Sequence, residues 1–176
     1  IVGDGIAKIT VNETEPTSPA TGDGWIKPSE EFGDLALKDH VEPDDLQLGA
    51  ASDFIVTTED TTSTSWANLS TAGPSVTIAV PDSGMVLVMF SSWISINSTV
   101  QEAFVCFDAS GANTISETTN NSISFRPKVV DGASNACGHA LLTGLNPGST
   151  TFRLRYEVTG ATGTFRRRRI TVIPLG

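Results

Sequence analysis

Phe152-Arg153-Leu154-Arg155-Tyr156-Glu157-Val158-Thr159-Gly160-Ala161-Thr162-Gly163-Thr164-Phe165-Arg166-Arg167-Arg168-Arg169-Ile170-Thr171-Val172-Ile173 decides the fold. Phe152, Leu154, Tyr156 and Val158 alternate with Arg153, Arg155 and Glu157. That period of two puts one strand face in a core and the other in solvent. Gly160-Ala161-Thr162-Gly163 turns the chain, and an apolar return strand follows, so the stretch reads as a hairpin. Pro174 has no amide N–H to give and ends the ladder.

The same grammar extends back to Asp53. Strands are expected at Asp53–Thr58, Ser63–Ala67, Ser75–Val80, Met85–Asn97, Gln101–Phe107, Ser122–Val129, Cys137–Leu145, Thr150–Val158 and Gly163–Ile173. Between them stand turn clusters such as Ala72-Gly73-Pro74, Pro81-Asp82-Ser83-Gly84 and Asn146-Pro147-Gly148. Each supplies a residue suited to positive φ or to the fixed φ of proline. Short strands at this spacing predict an all-β, jelly-roll-like antiparallel two-sheet sandwich over residues 53–176.

Residues 1–52 read differently, as an extended, mostly irregular N-terminal arm. One strand is expected in Ile1–Val11, then a Pro/Gly connector, Glu15-Pro16-Thr17-Ser18-Pro19-Ala20-Thr21-Gly22-Asp23-Gly24-Trp25-Ile26. A short helix or turn is expected near Ser29–Leu37, weakened by Gly33. Residues 1–60 hold 14 acidic and 3 basic side chains, whereas residues 61–176 hold 6 and 8, giving −11 and +2. The acidic part repels nucleic acid and anionic lipid, so neither is expected as a partner. Trp25, Leu35, Leu37 and Leu46 lie where no local core is available, so they are expected to dock on a partner surface.

Candidate chemistry is sparse. Two cysteines, Cys106 and Cys137, either stay free and buried or form one bridge, the geometry deciding. With two His and no Cys-x-x-Cys or His-x-His spacing, neither a metal nor another cofactor is expected. The longest apolar run, Met85 to Ile96, is interrupted by Ser91 and Ser92 and is too short to span a bilayer. Ile1-Val2-Gly3-Asp4 and Asp82-Ser83-Gly84 hint at a serine protease, but Pro81 and Met85 stand where the nucleophile motif needs glycines. Glycoside hydrolysis needs two carboxylates at a fixed separation. Asp82, Asp108 and Asp131 fall in turns and Glu157 on a polar face, so solvated charge is the reading and no enzyme is expected. His139 reads as a core or interface histidine. Alternation sends two of Arg166, Arg167, Arg168 and Arg169 to each sheet face, where they are expected to pair with carboxylates of a neighbouring subunit or of the arm. Trp93 reads as core, and Trp66 is the candidate ligand-binding residue.

The connector resembles the Pro/Thr/Ser-rich linkers of tail-associated proteins of actinobacterial phages, of the tail-fibre or minor-tail class. Thr64-Ser65-Trp66-Ala67-Asn68-Leu69 is similar to their opening strands, and Thr164 through Leu175 to their final strand. The resemblance implies a structural virion protein, assembled in the host cytoplasm, often a homotrimer. Its arm would anchor on other virion proteins while the β-sandwich projects, with a host-surface glycan as its ligand. Capsid decoration or a head fibre, and a secreted carbohydrate-binding module, are the alternatives.

Overall fold

The structure, a computed structural model, describes Thr10–Val11, Trp25–Ile26 and residues 49–176. The chain divides into two units, residues 1–47 and 48–176. In the first, β1 (Thr10–Val11) pairs in parallel with β2 (Trp25–Ile26). The helix or turn expected near Ser29–Leu37 lies outside the described residues, as do Leu35, Leu37, Leu46 and the side chain of Trp25.

The second unit is a sandwich of two antiparallel sheets. Its strands are β3 (Ala51–Ile55), β4 (Glu59–Thr61), β5 (Ser75–Val80), β6 (Met85–Ile96), β7 (Ala103–Gly111), β8 (Ile123–Phe125), β9 (Ala133–Leu142), β10 (Gly148–Val158) and β11 (Gly163–Leu175). One sheet runs β3-β11-β6-β9 with β4 also on β11, and the other runs β5-β10-β7-β8. From β5 onward the chain changes sheet at every step except β7 to β8. The nested pairings β3–β11, β5–β10, β6–β9 and β7–β8 that result make the fold jelly-roll-like.

The core lies between the sheets. Val86, Val88, Phe90 and Ile94 of β6 and Phe165, Ile170 and Val172 of β11 face Val105 and Phe107 of β7 and Phe152, Leu154 and Tyr156 of β10. Phe107 meets Phe90 edge-on at 5.7 Å and lies 6.3 Å from Phe152, so aromatic volume fills the middle.

Several expectations change. The stretch Phe152–Ile173 is an arch between sheets, not a hairpin, because β10 and β11 belong to different sheets. Both strands are amphipathic, and turning their apolar faces towards each other buries both. Tyr156 and Phe165 meet across the core at 5.0 Å. Ala161 at φ 65° and Gly160 at φ 155° make the corner. The strand expected at Ser63–Ala67 reduces to a bridge between Ala67 and Tyr156, and the strand here is Glu59–Thr61. Ser122–Val129 shortens to β8, ahead of Pro127, and the strand expected from Cys137 starts at Ala133 and stops at Leu142.

The arginine run departs from simple alternation. Arg166 pairs with Trp93 and Arg169 with Ser91, so β11 carries one residue more than β6 across this interval, a β-bulge. Arg167 absorbs it at φ 51°. Arg168 alone turns inward, where it is fully buried.

Candidate docking surface

The two outer faces of the sandwich differ in kind. On the β5-β10-β7-β8 sheet, Thr77 and Thr151 share a 2.7 Å hydrogen bond, and Asp108 accepts from Arg153 and Arg155 at 2.8 Å each. Glu117 lies 3.0 Å from Arg155, and Glu102 pairs with Arg126 at 2.6 Å. The hydrogen bond from Arg153 to Asp108 raises the guanidinium's pKa further, so it stays charged. Burial pushes the Glu157 carboxyl up. On this face Asp108, Glu117 and Glu102 find their cations within the same chain.

The outer face of the β3-β11-β6-β9 sheet is built from cross-strand rows. Phe54, Arg169, Ser91 and Cys137 form one row; Ser52, Thr171, Met89 and His139 the next; Ile173, Leu87 and Leu141 the third. Phe54 is 43% exposed, Met89 41% and Leu141 56%. A groove of about 480 Å³ runs over Leu87, Met89, Ser91, Cys137, His139 and Thr171, with Arg169 at its rim. Arg169 lies 4.7 Å over the Phe54 ring and Arg166 3.9 Å over Trp93, so the cations cover rings rather than neutralise acids. Large apolar side chains gather on this one exposed face, with cations at its edge, which makes it the candidate docking surface.

Of the arginines singled out from sequence, Arg166 and Arg169 reach this face and Arg167 is exposed at the bulge. Arg168 does not reach it. Its Nη2 lies 2.5 Å from Glu59 Oε2 and its Nη1 3.4 Å from the Thr71 carbonyl, so its carboxylate partner is its own chain's, not a neighbour's. Burial pushes the Glu59 carboxyl up, but the Thr71 hydroxyl, the Thr71 N–H and Arg168 outweigh it and hold the group below its ordinary range. The Tyr156 hydroxyl donates to the Gly73 carbonyl at 2.9 Å, and burial pushes its pKa up.

Trp93 is not core, as expected from sequence, but half-buried on the outer face under Arg166. Trp66 is half-buried, edge-on to Phe104 at 6.3 Å. Both cysteines are free. Cys106 is buried, with burial raising its thiol pKa, while Cys137 is exposed, contrary to the expectation that a free Cys137 would be buried. His139 is exposed on β9. Among the described residues no group of three or more His, Cys, Asp or Glu side chains could hold a metal.

Phe54, Leu87, Met89, Leu141 and Ile173 were missed from sequence. The signal was there. Met85-Val86-Leu87-Val88-Met89-Phe90 is apolar at every position, and a strand without alternation has both faces to bury.

No family model matches the chain, and no curated protein matches it. Among solved structures it is similar to an Eiger TNF from S. frugiperda, at TM-score 0.48 and 12% identity over 72% of this chain and 92% of that one. It is also similar to the CBM22-1 xylan-binding domain of Paenibacillus barcinonensis Xyn10C, at TM-score 0.38 and 16% identity over 73% and 84%.

Proposed function

We propose that this chain is a structural protein of a phage virion, tail-associated, acting by binding rather than catalysis. The outer face of its β3-β11-β6-β9 sheet seats against a neighbouring chain of the particle. The observation that supports docking is the contrast between two faces of one sandwich, and the virion class comes from the sequence resemblance alone. One pairs Asp108 and Glu117 with Arg153 and Arg155 of the same chain, while the other exposes Phe54, Met89 and Leu141. Burying such a face returns about 25 cal/mol per Å² of apolar surface removed from water. The partners are other virion proteins and copies of this chain, for which the sequence resemblance implies three-fold assembly. The test is mass spectrometry of virions banded on a density gradient from the source of the gene. Peptides of residues 49–176 in the particle band, at many copies, support the reading; their confinement to the soluble fraction overturns it.

A second reading, a carbohydrate-binding module or a sandwich that meets a host-surface glycan, is favoured by Trp66, which is half-exposed beside Phe104. Glycan-array binding by the full chain, lost in Trp66→Ala, is its expected signature. Among the described residues Trp66 and Phe104 meet at 74° rather than in one plane, which weighs against a flat sugar platform.

A further inference from the structure

We propose that β9 pairs antiparallel with β9 of a second copy of this chain, across a two-fold axis near the middle of the strand. β9 is ten residues long and hydrogen-bonds to β6 along one side only. Among the described residues no backbone group of β9 has a backbone partner outside that ladder. A long strand with one unpaired side is a template for another chain, and proteins that stay monomeric block such edges with lysine, proline, inward charge or brevity.

The other edges of this sandwich are shorter, six residues at most against ten in β9, and the β4 edge carries Glu59 and Asp60. β5 lies between Pro74 and Pro81, β8 has three residues with Pro127 close behind, and β3 has five residues with Asp53 at its centre. β9, Ala-Ser-Asn-Ala-Cys-Gly-His-Ala-Leu-Leu, contains no proline and no Asp, Glu, Lys or Arg. In a chain of net charge −9, a stretch with no acidic or basic residue but His139 is where two copies meet with least repulsion. An antiparallel strand is also its own complement. A dyad at mid-strand matches each outward N–H with a C=O of the other copy, with no further condition on sequence.

The pairing would join two β3-β11-β6-β9 sheets edge to edge and set their outer faces side by side. The inference is independent of what covers those faces, and its symmetry is two-fold where the sequence resemblance implies three-fold. With the axis at Cys137 or Gly138, the two Cys137 residues stand directly opposite or one diagonal apart, roughly 8 Å or less between Cα atoms. Cys137 is exposed, so it reports the contact.

The experiment is light scattering and native mass spectrometry on the full chain at micromolar concentration, with hydrogen exchange over β9. The expected result is a dimer with β9 amides protected; with the axis at Cys137, mild oxidation also gives a covalent dimer that Cys137→Ser abolishes, whereas with the axis at Gly138 the two cysteines stand too far apart to bridge. The double variant Cys137→Lys/His139→Lys sets lysines against lysines in either register. It should weaken the dimer at least tenfold while the far-ultraviolet circular dichroism of a β-protein persists. A monomer, a trimer with fast-exchanging β9 amides, or a dimer indifferent to the double variant would overturn the pairing. None of these outcomes bears on whether the chain bands with virions.

Discussion

Arg168 Nη2 lies 2.5 Å from Glu59 Oε2, and the guanidinium is fully buried. The pair fastens the segment carrying β4, Thr71 and Gly73 to the sandwich, because Glu59 also accepts the Thr71 N–H at 2.8 Å and hydroxyl at 2.7 Å. The guanidinium lies 5.5 Å from the Tyr156 ring centroid, and Tyr156 in turn donates to Gly73. The one arginine of four that leaves the surface thereby holds the irregular segment of the body in place.

Removing one partner strands a buried charge. Glu59→Ala should lower stability by about 3–5 kcal/mol, read as a shift in the denaturant midpoint. The double variant Glu59→Leu/Arg168→Met should recover most of the loss, since two apolar side chains leave no unpaired charge. If the double variant is as unstable as Glu59→Ala, the pair is not the fastening.

The pH dependence of that contact has a definite sign. The folded pKa of Glu59 lies below the ordinary glutamate value of 4.5, so the stabilisation is complete above that pH and lost as pH falls through the folded pKa. Glu59→Gln should flatten the acid limb of a stability-versus-pH curve below pH 4.5 and leave the neutral plateau lowered. An acid limb unchanged in the variant would assign it to other carboxylates.

Gly138 admits no side chain. A Cβ there would stand 2.7 Å from Ile123 Cγ2 and 2.9 Å from the Phe90 ring. Gly138→Ala should cost about 1–3 kcal/mol by overpacking. Adding Ile123→Ala, which clears the closer contact, should return part of the melting temperature rather than lower it further; additive losses would refute the clash.

At the bulge, Arg167 holds φ 51°, a conformation that β-branched side chains resist. Arg167→Gly should leave stability within about 1 kcal/mol of the parent or raise it, while Arg167→Val should lower it by about 1–2 kcal/mol. Equal effects in thermal melts would mean the bulge relaxes.

The sequence made the sandwich legible because alternation survives wherever one strand face meets solvent, as in Phe152 to Val158. It misled where alternation says nothing about partners. Phe152–Val158 and Phe165–Val172 are compatible with a hairpin or with an arch, since both bury the same faces, and only pairing with β7 and β6 tells them apart. The two-and-two division of arginines failed because a single inserted residue resets the alternation, and four identical side chains give no hint of where. The docking face was half legible, through the arginines on its rim. Its centre was hidden because Leu87 and Met89 look like more core when the face that would contradict this is itself apolar.

The central claim is that the outer face over Phe54, Met89 and Leu141 is an assembly surface, and particle incorporation of Met89→Glu/Leu141→Lys tests it most directly. Both side chains are exposed in the sandwich, so the variant should keep the parent's melting temperature within a few degrees. The account predicts that it is lost from gradient-banded virions by roughly a hundredfold, as befits two central contacts of about 1–2 kcal/mol each. Incorporation at the parent's level, with the fold intact, would contradict it.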